Sequence, residues 1–371
     1  MANSLTSATP VHATIALAAL RHNLALLQAA APGSKMLAVI KANAYGHGAV
    51  QAARALELAA AFGVARLGEG LELRERGITK PIVLMEGVFT DEELELALDN
   101  ELDFVVHADY QVDLLERRVS AHSLKKSRPA RVVWLELDTG MSRLGFQTGQ
   151  AAAAAARVRA NGLVGELRVM THFARADEPA ASMTTEQLQR FDAELFGLSA
   201  PATGVANSAA ILSATVGQHE WVRAGIALYG GSPVIGRTAD SLGLKPVMTL
   251  STRVIALRSI NTGDSVGYGA SWRAARPSRI ATLAAGYADG VPRHLPSGAP
   301  VLVAGRRVPI VGRVSMDMIT VDVTDVPKVS VGTPVVLWGD GLSVDDVATA
   351  AGTISYELLC GVTHRVAFDY V

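Results

Sequence analysis

A lysine at the end of a short apolar run is the first residue of this chain that could do covalent chemistry. The run Met36–Ile40 predicts a buried parallel strand, and Lys41 follows it directly, ahead of a tyrosine and a Gly-His-Gly turn. In an α/β barrel, catalytic groups collect at the carboxyl ends of the strands. A partly desolvated amine there is a nucleophile that can form a Schiff base. The alternative is a solvated lysine that ends a strand, and the chemistry of this stretch alone favours that alternative.

Two carboxylates occupy a later predicted strand, Arg131–Leu137, and its loop. By alternation, Glu136 and Asp138 face the same side as Trp134. Carboxylates inside a barrel need partners, and the nearest candidate in the sequence is Arg143.

Two more polar groups follow other predicted strands. His172 comes after a run that ends at Thr171, and no metal-ligand spacing surrounds it. Ser208 lies in the segment Ala206–Ala210, which predicts a helix start. The free N–H groups of a helix start suit a phosphate, although these residues alone favour an ordinary Asn/Ser cap.

The sequence around Lys41 also resembles a segment of a known protein family. AVIKANAYGHG resembles the pyridoxal-phosphate lysine segment of alanine racemases. The likeness recurs from AALRHNL near the N-terminus to ISYELLCGV near the C-terminus, so it covers nearly the whole chain. It implies an isomerase that interconverts L- and D-alanine with pyridoxal 5′-phosphate as cofactor and two bases that exchange the α-proton.

Composition limits the class of protein. The 371 residues are 49% hydrophobic and 19% charged, which predicts a substantial core and about two domains. The net charge of −1 provides no basic field for nucleic acid. The single cysteine, Cys360, excludes an internal disulfide and fits a reducing compartment. With no evident signal peptide, membrane span or metal motif, we expect a cytoplasmic protein that acts on a small molecule and binds neither membrane nor metal.

Alternating patterns predict the barrel. Eight short apolar runs are separated mostly by helix-length segments, which is the size and period of a TIM-type (β/α) barrel, although the seventh run is weakly marked. A doubly wound sheet is the competing architecture, and the strand count favours the barrel. The runs are Met36–Ile40, Phe62–Leu67, Pro81–Met85, Asp103–His107, Arg131–Leu137, Glu166–Thr171, Thr203–Ala206 and Trp221–Leu228.

The pattern of the sequence changes near Pro246. From there, β-branched runs separated by turn residues predict a mainly antiparallel β-domain, with two short helices and a last strand near the C-terminus. By resemblance, the residues before the first helix join this domain. We therefore expect the barrel at 16–244 and the second domain at 1–15 and 245–371.

The resemblance also implies roles for individual residues. Lys41 holds the cofactor, and Arg223 faces the pyridine nitrogen. Because guanidinium hardly gives up its proton, the ring nitrogen would stay unprotonated, which restrains transamination and favours racemisation. Arg143 contacts the phenolic oxygen of the cofactor and the substrate carboxylate. The remaining predicted cofactor contacts are Tyr45, His172, Asn207, Ser208, Gly225, Ile226 and Tyr356.

The second base comes from the β-domain. By resemblance, Tyr268 faces Lys41 across the cofactor, and Met316 offers its backbone N–H to the substrate carboxylate. Tyrosine acts as a base near neutral pH only in a cationic neighbourhood, which we expect His172 and Arg223 to provide. Related racemases are twofold dimers in which the second domain of one subunit covers the barrel mouth of the other, so we expect a homodimer with shared active sites.

Two positions depart from the family pattern. Many members have a lysine at the position of Glu136, and its carbamylation positions the arginine that matches Arg143. Glu136 carries a permanent carboxylate on a shorter stem, so it can supply the negative charge without CO2 chemistry. Ser315 stands where the family usually has cysteine, and we expect little effect from that change.

Three alternatives remain at this level. A racemase of broader specificity, acting on serine as well as alanine, would share these motifs. Single-barrel pyridoxal-phosphate carriers keep the lysine strand but have no second domain. A fold-related decarboxylase is disfavoured by Arg223. The sequence does not separate a role in making D-alanine for wall precursors from a role in D-alanine catabolism.

Overall fold

The first two thirds of the chain alternate strands and helices, and eight parallel strands close into a barrel. The computed structural model describes residues 9–121, 130–198, 202–213 and 219–371. The barrel strands are β2 (Lys35–Val39), β3 (Ala61–Val64), β4 (Ile82–Leu84), β5 (Asp103–Val106), β6 (Arg131–Leu137), β7 (Val164–Thr171), β8 (Thr203–Asn207) and β9 (Trp221–Ala224). The helical segments are α1 (Leu17–Ala30), α2 (Lys41–Gly46), α3 (Ala49–Ala55), α4 (Leu67–Glu75), α5 (Asp91–Asp99), α6 (Asp109–Ala121), α7 (Ala151–Ala160), α8 (Met183–Leu198) and α9 (Ser208–Ser213).

Pairing between the first and last strands closes the barrel. Strand β2 runs parallel to β9, with Leu37 opposite Arg223 and Ala38 opposite Ala224. This closure confirms the predicted barrel and excludes the doubly wound sheet. Each of the eight predicted runs overlaps a barrel strand, including the weakly marked seventh.

The last predicted strand extends too far. Strand β9 ends at Ala224, whereas the apolar run continues to Leu228. Gly225 leaves the extended region, with φ −120° and ψ −106°, and Ile226–Tyr229 forms a 3₁₀ turn. Continuous apolar sequence cannot distinguish a strand from a buried turn, because both are fully covered.

A second, eight-stranded sheet combines one strand from the beginning of the chain with strands that follow the barrel. Strand β1 (His12–Ile15) pairs antiparallel with β10 (Met248–Ile260) and parallel with the last strand, β18 (Ala367–Tyr370). The other strands of this sheet are β13 (Ser278–Leu283), β14 (Pro300–Val303), β15 (Arg306–Pro309), β16 (Ile319–Asp322) and β17 (Pro334–Trp338). Strands β11 (Ser265–Val266) and β12 (Trp272–Arg273) pair with each other in a separate two-stranded sheet. Helices α10 (Val344–Ala351) and α11 (Ser355–Cys360) precede β18. Apart from the β1–β18 pairing, the strand pairs in the described residues of this part are antiparallel, which confirms the mainly antiparallel prediction.

Residues 1–8 of the predicted second domain lie outside the described residues. Within the described ranges, no helix is long and apolar enough to cross a membrane.

A left-handed turn follows Lys41. Four residues of α2, from Ala42 to Tyr45, have φ between 53° and 55°. None of them is glycine, so each is in a conformation that L-residues rarely adopt. The backbone N–H of Ala44 donates to the carbonyl of Ile40 at 2.8 Å, which closes the turn around Lys41.

Contacts with His47 and Tyr229 stabilise this turn. The Nδ1–H of His47 donates to the carbonyls of Ala44 and Tyr45, at 3.0 and 2.9 Å. The ring of Tyr229 stacks on Tyr45 with centroids 4.7 Å apart, and its hydroxyl donates to the carbonyl of Val39 at 2.8 Å. Burial lowers the pKa of His47 to about 4, so the ring is neutral near pH 7.

Gly46 and Gly77 have the same φ of +80°, so substitutions at the two positions distinguish the cost of backbone strain from the cost of a packing clash. A Cβ on Gly46 would collide with the carbonyl oxygen of Leu359 in α11, whereas a Cβ on Gly77 would meet nothing within 4 Å. We expect Gly77→Ala to cost about 1–2 kcal/mol of folding stability from backbone strain alone. Gly46→Ala should cost about 1–3 kcal/mol more, because α11 must shift. Urea unfolding of the two variants measures the difference, and equal midpoints would contradict it.

The neutral His47 predicts a specific acid sensitivity. Its pKa is lowered from 6.5 to about 4, so the unfolded state takes up the proton first as the pH falls. The stability that the neutral ring contributes is therefore present above about pH 6.5 and is lost as the pH falls towards 4. Between about pH 7 and about pH 4, wild type should lose roughly 3 kcal/mol more unfolding free energy than His47→Gln. Parallel pH profiles of the two proteins would show that His47 is not responsible.

Candidate active site

A cavity of about 310 Å³ opens at the carboxyl end of the barrel strands, with Lys41 in its wall. It brings together the predicted site residues of the barrel and Tyr356 from α11. The lining residues are Val39, Lys41, Ala42, Tyr45, Met85, Arg143, His172, Asn207, Ser208, Arg223, Gly225, Ile226, Tyr356 and Cys360. Tyr268 and Met316 do not line it.

Sequence reasoning missed two side chains of this wall, Met85 and Cys360. Signals for both exist. Met85 directly follows strand β4, and the carboxyl ends of barrel strands converge on one mouth. Cys360 is four residues after Tyr356 on α11, a spacing that puts both side chains on one helical face.

A guanidinium lies buried across the end of the barrel. Arg223 is 3% exposed, and its Nη1 and Nη2 each donate at 2.6 Å, to the carbonyls of Gly204 and Thr171 respectively. Within the described part of the chain, its Nε is buried and has no hydrogen-bond partner. Burial lowers the pKa of Arg223 to about 10, which still leaves the group protonated near pH 7. The cavity is therefore lined by a fixed cation whose Nε has no acceptor among the described residues.

Glu136 compensates part of that charge. It is 5% exposed, and burial raises the pKa of its carboxyl group, while Arg223 and then Arg143 act in the opposite direction. Arg223 is thus its principal cationic neighbour, which the spacing in the sequence did not reveal. Strand β9 reaches β6 only through the closed barrel, so this proximity depends on the fold.

Asp138 does not take the partner that we expected. Its Oδ1 accepts the backbone N–H groups of Gly140 and Ser142, both at 3.0 Å. The prediction of Arg143 as the partner of this carboxylate is wrong, because the loop folds back on the side chain and satisfies it with its own backbone.

His172 is a neutral group. Burial is the largest cause that lowers its pKa, to about 3, and the charges of Arg223, Arg143 and Lys41 act in the same direction. The expectation that His172 supplies positive charge to Tyr268 is therefore wrong. Gln187 fixes this segment, since its Nε2 donates to the carbonyl of His172 at 2.9 Å.

Hydroxyl groups cluster on one side of the cavity. Burial raises the pKa of Tyr45 well above its ordinary value and that of Tyr356 to about 12, so both phenols remain donors near pH 7. Their rings lie 5.8 Å apart. Ser208 Oγ accepts the backbone N–H of Gly225 at 2.8 Å, which leaves the Ser208 hydroxyl hydrogen free to donate.

Two of the predicted cofactor contacts, Gly225 and Asn207, already form hydrogen bonds within the protein. The N–H of Gly225 is used by Ser208. Asn207 Oδ1 accepts the N–H of Ala210 at 3.1 Å and so caps α9, as the ordinary reading of this segment proposed. A Cβ on Gly225 would lie 2.7 Å from the hydroxyl of Tyr45, so a larger residue would crowd the hydroxyl cluster.

A larger cavity of about 650 Å³ adjoins the first. The two share His172, Asn207 and Tyr356 in their walls. Asp177 and Asp345 line the larger cavity only. The shared wall makes the larger cavity an approach to Lys41.

Tyr268 and Met316 are surface residues of this chain. They are 69% and 53% exposed, although both are large and partly apolar. Tyr268 lies in the 3₁₀ turn Tyr268–Ala270 between β11 and β12, as the flanking glycines predicted. A Cβ on Gly269 would lie 3.3 Å from Nη1 of Arg313, so this guanidinium packs against the tyrosine turn.

The barrel end can bind a flat, electron-poor ring and an anion. Lys41, Arg223, Tyr45, Tyr356 and Ser208 all line one cavity, and the Nε of Arg223 has no hydrogen-bond partner among the described residues. In the described ranges, no group of three or more His, Cys, Asp or Glu side chains could hold a metal ion.

Comparison with known proteins assigns both parts of the chain to one family. Residues 15–233 match the family described as alanine racemase, N-terminal domain, and residues 247–370 match alanine racemase, C-terminal domain. An alanine racemase of an Azoarcus species is 49% identical, over 97% of this chain and 99% of that protein. A catabolic alanine racemase of Pseudomonas putida is 45% identical, over 98% of this chain and 99% of that protein.

A solved structure agrees with the sequence comparisons. The biosynthetic alanine racemase of Pseudomonas aeruginosa matches with a TM-score of 0.93 and 46% identity, over 98% of this chain and 99% of that one. The catabolic and biosynthetic relatives resemble this chain almost equally, so identity does not distinguish the two roles.

Proposed function

The chain belongs to the alanine racemase family and interconverts L- and D-alanine, and from that premise we propose that it uses pyridoxal 5′-phosphate held covalently by Lys41. One observation carries the proposal. Lys41 shares a cavity with the buried cation of Arg223, whose Nε has no partner among the described residues. A buried donor without an acceptor is costly, and a pyridine nitrogen bound there would relieve that cost.

The other donors of the cavity fit the phosphate. Tyr45, Tyr356 and Ser208 offer hydroxyl hydrogens around the space above Gly225. A dianion accepts several such donors at once. The absence of a side chain on Gly225 keeps that space open, since a Cβ would crowd Tyr45.

Arg223 sets the reaction specificity in this proposal. When bound, pyridoxal phosphate withdraws electrons from the α-carbon of the amino acid and makes its hydrogen acidic. A guanidinium with a pKa of about 10 donates a hydrogen bond to the ring nitrogen but keeps its proton near pH 7. The electron withdrawal is therefore moderate, which favours return of the proton to the α-carbon over transamination.

Two residues move the proton. The Nζ of Lys41 exchanges it on the D-alanine face, and the hydroxyl of Tyr268 exchanges it on the opposite face. Arg143 and the backbone N–H of Met316 hold the substrate carboxylate. Because His172 is neutral, we assign the positive field near Tyr268 to arginines: Arg313 in its own chain, with Arg143 and Arg223 at the barrel mouth.

The proposal requires a homodimer. Tyr268 and Met316 are exposed and absent from the Lys41 cavity of their own chain. In a twofold dimer, the second domain of each subunit, at 1–15 and 245–371, would cover the barrel mouth of the other, at 16–244. Burial in that interface also explains why a tyrosine and a methionine are surface residues here. We further propose a cytoplasmic location, which suits the free thiol of Cys360.

The cofactor assignment is tested at Lys41. Wild type incubated with pyridoxal phosphate and reduced with borohydride should carry one modified peptide, the one that contains Lys41. Lys41→Ala should carry none and should racemise alanine at least about a thousandfold more slowly, since a nucleophile and a base are both lost. Lys35→Ala is the matched control, because Lys35 lies at the other end of the same strand and pairs with Glu220. Labelling of another lysine in Lys41→Ala would disprove the assignment.

The shared site is tested with mixed dimers. Lys41→Ala and Tyr268→Phe should each be nearly inactive as homodimers. In a mixed dimer one site has both lesions and the other has neither. Random assembly makes about half of the dimers mixed, so activity should recover to roughly a quarter of wild type. If both bases came from one chain, every site would keep a lesion, and two-tag-purified mixed dimers would stay inactive.

A further inference from the structure

Glu69 connects the first two β-α loops of the barrel. Its Oε1 accepts the backbone N–H of Ala42, the residue after Lys41, at 2.6 Å. Its Oε2 accepts the N–H groups of Ala65 and Arg66 at the start of α4, at 2.7 and 3.1 Å. One carboxylate thus binds both the turn after Lys41 and the beginning of α4.

The neighbouring helix shows what ordinary capping needs. In α5, Glu93 occupies the position that Glu69 has in α4, and its Oε2 accepts the N–H of Phe89 at 2.7 Å. Among the described residues, Glu93 makes no hydrogen bond to the loop that follows Lys41. Capping therefore requires one carboxylate oxygen, and in α4 the second oxygen is directed to the turn after Lys41.

The left-handed turn after Lys41 needs hydrogen-bond acceptors from outside the turn to keep its conformation. The residues from Ala42 to Tyr45 are left-handed, so the backbone would relax to ordinary φ values if its contacts were removed. His47 and Asn43 hold the later part of the turn, where Asn43 Oδ1 accepts the N–H of Ala49 at 2.8 Å. Glu69 holds its first N–H.

We propose that Glu69 is a positioning residue for Lys41, and that it sets the direction of the lysine amine by anchoring the first amide of the left-handed turn. Glu69 does not line the cavity and touches no reacting atom. The inference rests on the proposed function, in which Lys41 Nζ takes the α-proton of D-alanine while the Tyr268 hydroxyl delivers a proton to the opposite face. Misplacement of Lys41 should slow only the transfers that involve its amine.

The test compares Glu69→Gln with Glu93→Gln in the cofactor-loaded dimer. A glutamine keeps one oxygen, which can still cap the helix in either variant. At position 69 its NH₂ group would then face the N–H of Ala42, where two donors cannot bond. Both variants lose one charge at the same helical position, so Glu93→Gln controls for charge and capping.

Primary isotope effects provide the catalytic readout. In Glu69→Gln we expect kcat/KM to fall about tenfold in both directions, because the enantiomers share one equilibrium. The isotope effect on kcat/KM should rise with α-deuterated D-alanine and fall with α-deuterated L-alanine, since proton transfer by Lys41 becomes the slower step. Glu93→Gln should match wild type in both. A uniform loss of rate with unchanged isotope effects would overturn the proposal and leave Glu69 a structural cap.

Hydrogen exchange tests the anchor without the reaction. The amide of Ala42 should exchange about tenfold faster in Glu69→Gln than in wild type or Glu93→Gln. Unchanged exchange would refute the anchoring, whatever the activity. If Lys41→Ala racemised D-alanine at the wild-type rate with the wild-type isotope effect, the assignment of Lys41 as the base would fail. Exchange at Ala42 would still decide whether Glu69 holds the turn.

Discussion

The buried guanidinium of Arg223 is the interaction on which the rest of the site depends. Removing a cation from water costs several kcal/mol unless fixed dipoles replace the water. Here the carbonyl of Thr171, at the end of β7, and the carbonyl of Gly204, in β8, do so. Both acceptors belong to the two strands that precede β9 around the barrel, so the charge is stable only where these strands are assembled. Strand assembly and the electrostatics of the site are therefore one property.

That charge determines the state of its neighbours. His172 is neutral because it is buried beside Arg223 and near two further cations. Glu136 is buried in the same region, and the charge of Arg223 opposes the effect of burial on its carboxyl group. Glu136 is therefore the acidic side chain whose charge, when ionised, balances that of Arg223. Its Nε is the one nitrogen of Arg223 without a partner among the described residues, and Arg223 lines the cavity where the cofactor ring is proposed.

The second constraint is the left-handed turn after Lys41. Each non-glycine residue in this conformation costs about 1–2 kcal/mol, so the four residues from Ala42 to Tyr45 together hold appreciable strain. Such strain persists only where the surroundings impose it. Tyr229 and the carbonyl of Leu359, against which Gly46 packs, come from parts of the chain far from the turn, whereas His47 directly follows it. The direction in which the lysine leaves its strand is consequently a property of the whole barrel mouth.

The sequence by itself determined the eight strands, the antiparallel second part and the position of Lys41 at a strand end. Apolar runs, periodicity and turn residues are local patterns, and local patterns are sufficient for these features. The tertiary structure alone decided the partners of Arg223, the neutrality of His172, the role of the Asp138 side chain as an acceptor of backbone N–H groups, and the left-handed turn after Lys41. Each of these depends on groups far apart in the chain or on a backbone path that residue types do not specify. Burial and through-space charge set protonation and strain, and neither can be read from spacing along the chain.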